Sequence, residues 1–121
     1  MKFVAIVAGI AVIAAAGSAS ALEINDMEYL TAVRCHALAG SPLIGADTAA
    51  IDALVRDQRH GRSPYVQDRA KSERSRAARQ ARSSDESVRT QVRQEVAGAC
   101  QVWLGGEESL LNARAQAAPS S

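Results

Sequence analysis

Cys35 and His36 are the one pair of neighbouring residues in this chain that could serve as a nucleophile and its base. That chemistry needs the base within hydrogen-bond reach of the thiol. Neighbours on a helix point about 100° apart and do not face each other, so the pair does not qualify. The G-x-S-x-G, H-E-x-x-H and phosphate-loop patterns are absent. Three close carboxylate pairs occur: Asp26 with Glu28, Asp85 with Glu86, and Glu107 with Glu108. Each falls in the first turn of an expected helix, where negative charge is favoured regardless of function. His36 and His60 are the only histidines, and neither has a second ligand at metal-binding spacing. C-x-x-C and C-x-x-C-H are also missing. These absences point away from an enzyme and give no reason to expect a metal or another cofactor.

The first 21 residues read as a secretory leader. Lys2 supplies the positive start, Phe3 to Ala16 an apolar run broken only by Gly9, and Gly17-Ser18-Ala19-Ser20-Ala21 a small-residue cleavage region. Cleavage is expected after Ala21, leaving Leu22 as the first mature residue and no transmembrane segment. The full chain has 14 Lys plus Arg against 13 Asp plus Glu; losing Lys2 makes the two equal. Two thiols in an exported chain are most simply one disulfide, Cys35 to Cys100.

Behind that neutrality lies a strong asymmetry: nine basic residues against three acidic ones between Arg56 and Arg82. Within it, Arg69, Lys71, Arg74, Arg76, Arg79 and Arg82 form the candidate anion-binding set. On a helical wheel Lys71, Arg74 and Arg82 fall on one side, Arg69 and Arg76 on another, and Arg79 between. Nucleic acid is a poor fit, because export separates the chain from it and the run contains no aromatic residue to stack on a base. The plainer reading is a solvated helix supported by Arg69–Glu73 and Glu73–Arg76 pairs.

The elements that carry these residues are helices. Asn25 and Glu28 form a capping box for the first, with Ile24 stapling onto Tyr29 and Gly40 and Pro42 stopping it. Met27, Leu30, Val33, Ala37 and Leu38 share its apolar arc. Arg34 lies inside that arc, where burial without a partner would be costly; it either reaches outward or forms a buried ion pair with a carboxylate of another helix. A second helix starts at Asp47 or Thr48, buries Ile51, Leu54 and Val55, and ends with Arg56, Arg59 and His60 before a left-handed Gly61. Ser63-Pro64 opens a third segment, either an exposed helix with Val66, Ala70, Ala77 and Ala81 as its stripe or a partly disordered stretch. A Ser83–Glu86 capping box then precedes a helix from Val88 to Trp103, stopped by Gly105-Gly106, with Val92, Val96, Ala99 and Cys100 on its apolar face. If the first and fourth helices are antiparallel, Cys35 and Cys100 differ in height by about 8 Å, so the helices must be offset or cross at an angle. No run alternates with period two over several residues, so strands are not expected.

The expectation is an all-α fold: a leader over 1–21, a three- to four-helix domain with one disulfide over 22–106, and a tail over 107–121 that is a short helix or disordered. Thin, Ala-rich interfaces and an exposed charged third segment suggest a non-enzymatic, periplasmic or secreted protein that binds another protein or a second copy of itself. With one cysteine in an early helix and its partner near the C-terminus, the mature chain resembles in layout the small two-cysteine helical chaperones of bacterial envelopes. The resemblance is one of architecture; it implies a bacterial source and a chaperone-like role, and it carries over no residue. The alternative is binding of anionic envelope components, lipid phosphate or acidic polysaccharide, through residues 69–82.

Overall fold

The computed structural model describes residues 22–117, so the expected leader and the residues from 118 onward lie outside it. Six helices follow one another in the described residues: α1 Asp26–Ala39, α2 Ala49–Gln58, α3 Pro64–Ala81, α4 Glu86–Ala97, α5 Gln101–Leu104 and α6 Gly106–Ala117. They contain no strand. The count exceeds the expected three or four because the anticipated fourth helix breaks in two and the tail is helical.

α1 begins as its sequence dictates. Asn25 Oδ1 accepts from the Glu28 N–H at 2.8 Å, and Glu28 Oε1 accepts from the Asn25 N–H at 3.0 Å. Its buried face is wider than the expected arc: Val33 and Leu38 are buried and Leu30 and Ala37 pack against the core, but Met27 is 73% exposed, and Tyr29, Ala32, Cys35 and Ala39 are buried as well. α1 is the hub of the fold and packs against α2, α3, α4 and α5. Burial around it follows several neighbours instead of one stripe.

α3 is one continuous helix of 18 residues, started by Ser63 Oγ accepting from the Val66 N–H and by Pro64 in its first turn. Its buried residues are Val66, Ala70, Ala77 and Ala81, small enough to let the helix lie close to α1. α4 corrects the expected capping box. Asp85, not Ser83, is the N-cap and accepts from both the backbone N–H and the hydroxyl of Ser87. Those two bonds, the hydroxyl foremost, hold the Asp85 carboxyl below its ordinary range. Asp caps as well as Ser and also favours the helix dipole.

The helix expected to run on to Trp103 stops at Gly98, whose φ of −108° and ψ of −93° are not helical. Ala99 is consequently exposed, and Cys100 becomes the N-cap of α5. From that turn Cys100 reaches Cys35 with a Cα separation of 5.4 Å, which removes the height mismatch that two long antiparallel helices would have had.

α6 packs on α5 and α2 and places Leu110 in the main core. That core joins the N-terminal segment, α1, α2, the start of α3, α5 and α6; a second cluster joins the C-terminal ends of α1 and α3 to α4. Gly106 sets the turn into α6 at φ +70°, and a Cβ there would lie 2.8 Å from the Ala50 carbonyl oxygen. Gly106→Ala is therefore expected to destabilise the fold by about 2 kcal/mol, from left-handed strain and backbone displacement together; a thermal melt of the variant measures it.

Residues 22–24 are strapped down ahead of α1. Gln58 Nε2 donates to the Leu22 carbonyl at 3.0 Å, Arg114 Nη1 to that of Glu23 at 2.9 Å, and Arg62 Nη2 to that of Ile24 at 2.9 Å. No helix among the described residues is long and apolar enough to cross a membrane.

Candidate anion-binding groove

α2 and α3 both pack on α1 but barely meet each other, which leaves a groove floored by α1. Two cavities of about 310 and 290 Å³ open in it, and Arg59 and Arg74 line both, so the two are contiguous. One end carries His36, Asp52 and Arg56. The other carries Gln67, Asp68 and Lys71, with Tyr29 beneath. Arg56 and Arg59 come from the end of α2; Lys71 and Arg74, three residues apart on α3, necessarily share a face.

The electrostatics of the groove are uneven. Asp52 is engaged, accepting from Arg56 Nη2 at 3.0 Å and lying 3.4 Å from His36 Nε2. Arg59, Lys71 and Arg74 have no carboxylate oxygen within 4.0 Å among the described residues. Arg59, Lys71 and Arg74 outnumber Asp68, the one carboxylate lining their cavity, so they repel one another on balance, and an anion between them relieves that repulsion.

The Arg-rich run is thus divided by the helix that carries it. Lys71 and Arg74 face the groove. Arg76 and Arg79, with Ser72 and Ser75, line a further cavity of about 390 Å³ on the outer side of α3, and Lys71 borders that one too. Arg76 lies 3.6 Å from Glu73, the only ion pair within the run; Arg69 does not pair with Glu73. Arg69 and Arg82 are exposed and line none of these cavities. The groove's contribution from Arg56 and Arg59 is not visible in the sequence, where both read as helix-end charge. Only the packing of α2 on α1 brings them to Arg74.

Other candidates are structural. Arg34 donates to Glu95 of α4 through Nε at 2.6 Å and Nη2 at 2.9 Å. That hydrogen bonding outweighs partial burial and raises the pKa of the guanidinium above that of a free arginine. Arg62 lies 4.9 Å over the Tyr29 ring and donates to Asp26. Cys35 and Cys100 are both buried and bonded to each other, so His36 has no thiol to activate. Among the described residues no three His, Cys, Asp or Glu side chains gather as a metal site.

Compared with protein-family models, curated proteins and solved structures, the chain matches none. Its function has to be read from the groove itself.

Proposed function

We propose that this is a non-enzymatic exported protein that binds anionic envelope components, bearing carboxylate or phosphate, through the groove between α2 and α3. The observation that carries the proposal is the convergence of Arg59, Lys71 and Arg74 on one concave surface without carboxylate partners. Structural arginines of this chain, by contrast, are paired: Arg34 with Glu95 and Arg62 with Asp26. A disulfide between two buried cysteines fits an oxidising compartment.

Capture of another protein through an apolar surface has less in its favour. Among the described residues only three large hydrophobic side chains are exposed, Met27, Tyr65 and Leu111, few for a surface that binds by apolar contact.

The test is binding of the oxidised protein to phosphatidylglycerol vesicles and to polygalacturonate over a range of salt. Affinity is expected to fall steeply as ionic strength rises. The double variant Arg59→Gln, Arg74→Gln should bind about tenfold or more weakly, a loss of roughly 1.4 kcal/mol, with an unchanged melting temperature because neither side chain holds the fold together. Wild-type binding to neither probe, or variant binding equal to wild type, would overturn the proposal.

A further inference from the structure

Resting on that reading, we infer that the anionic partner is a linear acidic polysaccharide of the uronate type, lying along a track that leaves the groove and wraps around α3. Three cavities share lining residues in succession. The two in the groove share Arg59 and Arg74, and the one that holds Asp68 shares Lys71 with the outer cavity of Arg76 and Arg79. At about 100° per residue, the α3 cations that line it run from Arg74 through Lys71 and Arg79 to Arg76 over roughly 200° of the helix circumference. On a helix about 10–12 Å across, that arc is close to 20 Å long.

The curvature decides between kinds of anion. A flat bilayer touches one side of a cylinder and cannot serve Arg74 inside the groove and Arg76 on the opposite side together. A flexible chain with a charge on successive units can follow the track. The neutral and acidic groups between the cations decide the chemistry of that chain. Gln67, Asp68, Ser72 and Ser75 lie among the cations along two of these cavities. Asp68 repels any polyanion, but a sugar chain offsets this by donating its hydroxyls to the carboxylate, which a polyphosphate cannot do, and Gln67 and both serines can donate to or accept from those hydroxyls. No exposed Phe, Tyr or Trp lines the track for a nucleobase to stack on: Tyr29 is 1% exposed, and the His36 ring is only part-exposed beside Asp52.

The experiment is a length series of oligogalacturonates, from the disaccharide to the polymer, titrated against the oxidised full-length mature protein. Affinity is expected to rise by about 100-fold or more along the series as successive cavities are engaged on one chain. The variant Arg76→Gln, Arg79→Gln should lose most of that gain, and an unchanged length series in this variant would overturn the track. A flat length series with intact binding to phosphatidylglycerol vesicles would overturn the polysaccharide assignment and leave the anion-binding function standing. Equal or tighter binding of polyphosphate or single-stranded DNA would also overturn the assignment. Failure of every anion to bind would remove both.

Discussion

Replacing Cys35 and Cys100 together by alanine is expected to lower stability by about 4 kcal/mol, because the bond closes a loop over a sequence separation of 65. For a domain of this size that corresponds to a fall in melting temperature of roughly 15–30 °C, and it is a large share of a total of about 5–15 kcal/mol. The bond ties α1 to the turn after α4, two regions whose other polar link is the Arg34–Glu95 pair. Without it the α4–α5 turn, already broken at Gly98, loses its fixed point against α1. Both cysteines are almost fully buried, so reductant should act slowly on the folded protein and quickly once denaturant opens it. Thermal melts of the oxidised wild type and the double variant measure the effect; coincident curves would show that the bond contributes nothing to the fold.

Tyr29→Ala should cost about 3–5 kcal/mol, the range for deleting a large buried ring. Tyr29 is the largest fully buried side chain and sits where the N-terminal segment, α1 and the floor of the groove meet. Its ring also supports Arg62, which holds Asp26 and the Ile24 carbonyl, so one truncation loosens both the core and the strap. Tyr29→Phe retains the ring and the cation above it and is expected to keep most of the stability. Denaturant titration of the two variants separates packing from any role of the hydroxyl. An alanine variant as stable as wild type would mean the ring is not the centre of this core.

Local rules and tertiary rules left different marks on the sequence. The Asn25–Glu28 box, the Ser63-Pro64 start, the left-handed Gly61 and the Val66–Ala81 stripe of α3 all depend on residues within a few positions of one another, and all are readable from spacing alone. The break at Gly98 is not, because an isolated glycine inside an amphipathic pattern can be tolerated within a helix and does not by itself mark an end. The buried face of α1 exceeds its sequence arc for a different reason: a wheel assumes one neighbour, and α1 has four. The candidate site was half legible. The run from Arg69 to Arg82 stood out as composition, but its division between a groove and an outer face, and the recruitment of Arg59, depend on where α2 and α3 settle on α1.

The strap at residues 22–24 bears on the order of events in the life of the chain. A peptidase that cuts after Ala21 needs the residues on both sides of the bond extended in its cleft. In the folded domain Leu22 is 1% exposed and three successive backbone carbonyls are held by side chains from α2, the α2–α3 connection and α6. The α6 contact comes from Arg114, near the far end of the chain, so this clasp closes only once nearly the whole polypeptide is present. The expected cut after Ala21 would therefore have to precede folding, because the folded domain holds Leu22 buried and its carbonyl bonded to Gln58.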